Sequence, residues 1–274
     1  SPSPTSPASE CLRAGDVAIV GFNADSPDTV ALVALVELPD GIELRITDNG
    51  WTGSSWRDTE GILSYTAGPE GAPAGSVLTW VAGGSGLTAG GSWSTLEGSF
   101  SLSASGDSVI VYQQCGGSSE PNFVFGITYT SGGWAQGGDE ITSANSVAPV
   151  SLTSAGYALT LAHKDNYVYS GSMSGSRVEL LALIMQSASW IGDDSAVMTM
   201  PSSTFDVIAP VVNSCPDLTA GAVAVIGFNA DNPDAVSLVV LVDLPGSAEV
   251  RITDKGWTGS EWRSGEGTLL YTAG

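Results

Sequence analysis

Apolar residues in this chain come in short runs, separated by turns rich in glycine, serine and proline. Residues 16–23 form the first run, bounded by Gly15 and the turn ADSPD. Residues 29–38 follow, with Val30, Leu32, Ala34 and Val36 on one face and Ala31, Val33 and Leu35 on the other. A strand with one face in water alternates apolar and polar. This one does not, so its second face needs a cover, either a side segment of the chain or a neighbouring subunit. Val30, Leu32, Val33 and Leu35 are therefore candidate assembly-interface positions. Leu44 and Ile46 alternate with Glu43, Arg45 and Thr47, which predicts a half-exposed strand ending at the Asp48-Asn49-Gly50 turn. Residues 62–67, 77–82, 100–102, 108–114, 123–129, 157–163 and 204–208 continue the series. One helix interrupts it. Ser176 and Glu179 stand as N-cap and N3 of a capping box, and Val178, Leu181, Met185 and Ala188 follow at helical spacing to about residue 189. The pattern predicts a mainly β fold, a β-sandwich with one inserted α-helix.

The run GFNAD at Gly21 recurs letter for letter at Gly227, an offset of 227 − 21 = 206 residues. The offset holds without a gap from Ala14/Ala220 to Gly68/Gly274, with 37 identities in 55 positions by direct count. A unit of that length suits a whole β domain rather than a solenoid repeat. The organisation expected is a Ser/Pro-rich linker at 1–10, a complete sandwich unit at 11–212 and the N-terminal part of a second unit at 213–274. So small a second part is marginal alone. Completion by a longer tandem polypeptide, or by strands from neighbouring subunits, is expected.

Only 14% of residues are charged, and the net charge is −21. That balance excludes a basic nucleic-acid footprint and disfavours anionic membrane surfaces. No apolar run approaches the ~20 residues that span a bilayer, so membrane insertion is not expected. The composition suits a secreted β protein, extracellular or at the cell surface, whose signal sequence would lie upstream. Three cysteines are present. Cys11 and Cys215 hold similar places before the two copies, and Cys115 ends a predicted strand. A Cys11–Cys115 disulfide follows, leaving Cys215 without a partner; three buried free thiols are the alternative. In SPSPTSPASE, alternating Ser-Pro over Ser1, Pro2, Ser3, Pro4, Thr5, Ser6 and Pro7 reads as an extended, O-glycosylated spacer or as an unmodified hinge.

The segment from GDVAIVGFNAD through TDNGW, with the later GSFSLSASGDSVIVYQ, resembles secreted repeat modules of bacterial and algal extracellular proteins, distantly like lamin-tail-type sandwiches. The likeness covers residues 14–130, with an echo in DNYVYSG at 165–171. It implies an Ig-like sandwich in adhesive or surface-structural proteins, with no catalytic residues to carry over. The Ser-Pro stretch is similar to hydroxyproline-type glycoprotein linkers.

Candidate chemistry is sparse. His163 is the only histidine, and no G-x-S-x-G elbow accompanies it, so a nucleophilic triad is not expected; the histidine reads as structural. Asp58 and Glu60 are the nearest pair of carboxylates for glycoside hydrolysis, but the second copy replaces the aspartate with Ser264. Asn23, Asp25, Asp28 and Asp48, repeated as Asn229, Asp231, Asp234 and Asp254, offer the hard oxygens that Ca²⁺ prefers. The same residues also form turns by capping their own backbone. Trp51 and Trp56, repeated as Trp257 and Trp262, read as plugs over the sandwich end or as sugar-stacking platforms. The expected function is a non-enzymatic structural glycoprotein that polymerises with itself into a fibre, sheath or cell-wall layer. The alternative is a surface adhesin binding Ca²⁺ or glycans.

Overall fold

A computed structural model gives the fold and describes residues 11–57, 60–88, 90–115, 120–208, 222–231, 234–242, 249–258 and 261–272. The chain divides into two compact units, Ser1–Ile208 and Ala209–Gly274. The Ser-Pro positions from Ser1 to Pro7, Asp58 and Cys215 lie outside the described residues.

The first unit carries strands β1 (Val17–Asn23), β2 (Thr29–Ala34), β3 (Glu43–Thr47), β4 (Ile62–Ala67), β5 (Val77–Val81), β6 (Leu87–Thr88), β7 (Gly91–Glu97), β8 (Ser108–Gln114) and β9 (Pro121–Thr128). Helix α1 (Val150–Ala155) comes next, followed by β10 (Ala158–Thr160), β11 (Asn166–Tyr169) and β12 (Ser174–Ser176). Helix α2 (Arg177–Ile184), β13 (Trp190–Asp193) and β14 (Asp206–Ile208) complete it. One open sheet has the order β13-β11-β1-β2-β5 and the other β10-β9-β8-β3-β4-β7-β6; β12 and β14 form a short parallel pair. A single apolar core joins Ile19, Phe22 and Leu32 of the first sheet to Ile46, Leu63 and Phe125 of the second. Phe22 stacks on Tyr129 with ring centres 4.4 Å apart. The fold is mainly β, and this arrangement is consistent with a β-sandwich.

Cys11 and Cys115 are disulfide-bonded, with Cα atoms 5.9 Å apart, inside the usual range. The bond ties the approach to β1 to the end of β8. Beside it, Leu12 N donates to Gln113 Oε1 at 2.7 Å, and Asn122 Nδ2 donates to Leu12 O at 2.7 Å.

Strand β2 corrects one expectation. Val30, Leu32 and Val33 are wholly buried and Leu35 nearly so, all within this one unit. They are not an assembly interface. β2 lies between β1 and β5, and residues from the 170–208 segment join its core. Helix α2 packs on β1, and Leu180, Leu181, Ile184 and Phe205 belong to the same apolar cluster. Gly21 of β1 leaves room for the Met200 sulfur, which an added Cβ would meet. Phe205 N donates to Gly75 O at 2.8 Å and pins the segment beside β5. The cover is the chain's own side segment.

The α2 capping box forms. Ser176 Oγ accepts from Glu179 N at 3.3 Å, and Glu179 Oε2 accepts from Ser176 N at 2.8 Å. Arg177, at the first helical position, pairs with Asp16 at 2.7 Å. The helix stops at Ile184 rather than near 189, because residues 187–189 tighten into a 3₁₀ turn that leads into β13. Its buried face is Leu180, Leu181 and Ile184, while Val178 is 74% exposed. Residues 100–102 are loop, not strand. Their amides turn instead to aspartates: Ser101 N donates to Asp48 Oδ2 and Leu102 N to Asp28 Oδ2.

The second unit holds β15 (Val223–Asn229), β16 (Ala235–Val240), β17 (Glu249–Thr253) and β18 (Thr268–Thr272) as two antiparallel pairs. Their registers reproduce those of the first unit at the offset of 206. Val17 pairs with Ala34 and Val223 with Val240, and the bulge at Ile19/Gly21 returns at Val225/Gly227. Glu43 pairs with Thr66 and Glu249 with Thr272. The surroundings differ. Phe22 is fully buried and its counterpart Phe228 is 83% exposed.

Candidate functional site

The Asn and Asp side chains of the first unit's turns mostly hold backbone in place. Asn23 makes a two-way bridge to a residue far along the chain: its Nδ2 donates to Met198 O at 3.0 Å, and Met198 N donates to its Oδ1 at 2.7 Å. Asp25 Oδ2 accepts from Asn166 Nδ2 at 2.7 Å. Asp28 Oδ2 accepts from Leu102 N at 2.9 Å, and Asp48 accepts from Gly61 N at 2.9 Å and Ser101 N at 2.8 Å. Asp107, in the SASGD turn, accepts from Ser103 N at 3.1 Å and Ser108 N at 2.7 Å. Three carboxylates thus fasten residues 101–108. In the second unit, Asp231 N donates to Asn229 Oδ1 at 3.1 Å and Gly267 N to Asp254 Oδ1 at 2.9 Å. Asp25, Asp28 and Asp48 do not converge as a ligand set among the described residues.

Burial governs the electrostatics here. It pushes the Asp48 carboxyl up to about 6, against the pull of the Ser101 and Gly61 amides. Asp107 is driven well above the ordinary range by the same cause. Glu60 rises to about 7, first through burial and then through the Asp48 charge, with Arg57 opposing at 3.5 Å.

Trp51 is buried and Trp56 half-buried. Their rings lie 5.0 Å apart edge to face, Trp51 meets Phe123 at 5.1 Å, and Trp56 meets Tyr112 at 5.0 Å. Residues 146 and 147 close over the pair: Trp51 N donates to Ser146 Oγ and Val147 N to Trp51 O, both at 2.8 Å. Such packing is that of a plug, since a stacking platform needs a bare ring face. Trp257 and Trp262 keep the 5.0 Å pairing but are 55% and 57% exposed.

One grouping of metal-ligating side chains does come together among the described residues: His163, Asp165 and Asp194. Burial, then the charges of Asp25 and Asp194, raise the pKa of the Asp165 carboxyl. Asp194 also pairs with Lys164 at 3.3 Å. Next to them is a cleft of about 630 Å³ lined by Thr130, Leu161, Lys164, Tyr167, Trp190 and Gly192, among others. Along the chain His163 stands alone, because its partners lie up to 31 positions away, 194 − 163. The local signal is DNYVY at 165–169, which forms β11 directly after the histidine. No helix among the described residues is long and apolar enough to cross a membrane. Compared with protein-family models, curated proteins and solved structures, the chain matches none.

Proposed function

We propose that the chain is a non-enzymatic structural glycoprotein of the extracellular space, built of tandem Ig-like, lamin-tail-like sandwich units. Its units join head to tail, with strand sharing as a form of the contact, into a fibre, sheath or wall layer. The observation that carries this reading is the second unit. It repeats the strand registers of the first at the offset of 206, bulge included, so that one chain carries the same sandwich hairpins in tandem. A contact between unlike surfaces that does not close gives filaments. The disulfide supports a non-reducing setting, and Ser1 to Pro7 are the glycosylated spacer of this reading.

Electron microscopy of native material tests it, with regular fibres of fixed axial repeat as the expected result. Dispersed wild-type monomers that bind glycans, or gain thermal stability with Ca²⁺, would replace this reading with that of an adhesin. An intact mass above the sequence mass, mapped to the peptide containing Pro2, Pro4 and Pro7, tests the glycoprotein part.

A further inference from the structure

We propose that His163, Asp165 and Asp194 bind one divalent transition-metal ion of the zinc class. One ligand atom from each residue, a ring nitrogen and two carboxylate oxygens, lies within 4.8 Å of the others. The placement follows from strand pairing. β11 and β13 are antiparallel, with Asn166 opposite Asp193. Asp165 and Asp194 are therefore the next positions out on either side of the ladder's end, and His163 stands two residues before Asp165.

The backbone beneath the three donors is tied down at several points. Ala24 N donates to Asp165 O at 3.0 Å, and Tyr167 Oη donates to Ala162 O at 3.0 Å. Ser195 N and Ala196 N donate to Asp193 Oδ1 at 2.8 and 2.9 Å, which fixes the turn carrying Asp194. Gly106, at φ +106°, leaves space for the imidazole, since a Cβ there would stand 3.3 Å from His163 Cδ2.

The donor set selects the ion. One imidazole with two carboxylates suits zinc and its neighbours, and three protein ligands leave a fourth position for water. Calcium prefers six to eight oxygens and no nitrogen. Zinc bonds of about 2.0–2.2 Å require the donors to draw together by roughly an ångström. His163 and Asp194 are exposed, so side-chain rotation supplies that movement. The competitor is Lys164, whose Nζ lies 3.3 Å from Asp194 Oδ2. An exposed pair of this kind alters an equilibrium by about fivefold at most, which a chelating donor set exceeds.

The test is titration of the full chain with Zn²⁺ and, separately, Co²⁺ after chelator treatment, in a Cys215→Ser background so that binding reports on the three donors and not on a cysteine. The expected result is one ion per chain, with the visible absorption of a four-coordinate site for Co²⁺. His163→Ala and Asp165→Asn should each weaken binding by about tenfold or more, and Lys164→Ala should tighten it a few-fold. Unchanged melting temperatures without metal would show that these surface variants fold. Failure to retain an ion, affinity unaffected by His163→Ala, or tighter binding of Ca²⁺ than of Zn²⁺ would each overturn the proposal.

Discussion

Asp48 shows how one carboxylate can serve as a structural fastener and as a titrating group. Both of its oxygens accept backbone N–H groups, from Gly61 and from Ser101, while burial pushes its carboxyl from 3.8 up to about 6. Between those values the unfolded chain has ionised and the fold still holds its proton. Its contribution is therefore fully present below about pH 4 and is lost as the pH rises through about 6. A change of that size corresponds to about 3 kcal/mol. Glu60, raised from 4.5 to about 7, acts in the same direction. Denaturant melts at pH 4.5 and pH 7.5 should show the lower stability at pH 7.5. Asp48→Asn should flatten that slope and lower stability at pH 4.5, because an amide has one acceptor for the two N–H groups. Ser64 is the opposite case. Its hydroxyl is buried and has no hydrogen-bond partner, and the second copy places Leu270 at that position. Ser64→Ala should leave stability unchanged or raise it by up to about 1 kcal/mol, measured by chemical denaturation.

At the scale of elements, the segment from β12 to β14 determines whether β2 is core or surface. Leu181 of α2 is 3% exposed and joins the cluster that contains β2. Leu181→Ala should cost about 2–4 kcal/mol in unfolding free energy, whereas Val178→Ala, at an exposed site of the same helix, should change it by less than about 0.5 kcal/mol. The helix start was legible because a capping box is local: Ser176 and Glu179 satisfy each other three residues apart. Its buried face was not, since Val178, Leu181 and Met185 fit a helical stripe as well as Leu180, Leu181 and Ile184 do. Only the contacts of α2 with β1, β12 and β14 distinguish the two. Likewise β8 carries its apolar run VIVY openly, while β7, GSWSTLE, has no such run and is fixed by its pairing with β4.

For the whole molecule, the Cys11–Cys115 bond spans a sequence separation of 104 residues. In the chain-entropy model, opening a loop of that length costs about 4–5 kcal/mol. Reduction should lower the melting temperature markedly without changing the strand content measured by circular dichroism at 20 °C. The two units show what such long-range ties supply. Thr47 Oγ1 donates to Gly61 O, and Thr253 Oγ1 to Gly267 O, both at 2.7 Å. Arg57 N and Arg263 N reach Gly50 O and Gly256 O, each at 2.9 Å. These bonds recur although one unit is packed and the other is open.

Local sequence by itself therefore determined the hairpins, their bulge, the tryptophan-pair turn and the helix cap, because each closes over no more than about twenty residues through hydrogen bonds to its own neighbourhood. The offset of 206 was legible for the same reason, since the same letters make the same turns. The tertiary structure alone decided which apolar faces are core, as Phe22 and Phe228 show in strands of near-identical sequence and the same register but opposite exposure. It also decided that Asp48, Asp28 and Asp107 fasten one loop, and that His163 meets Asp165 and Asp194. Those outcomes depend on groups far apart along the chain, and no local pattern carries their positions.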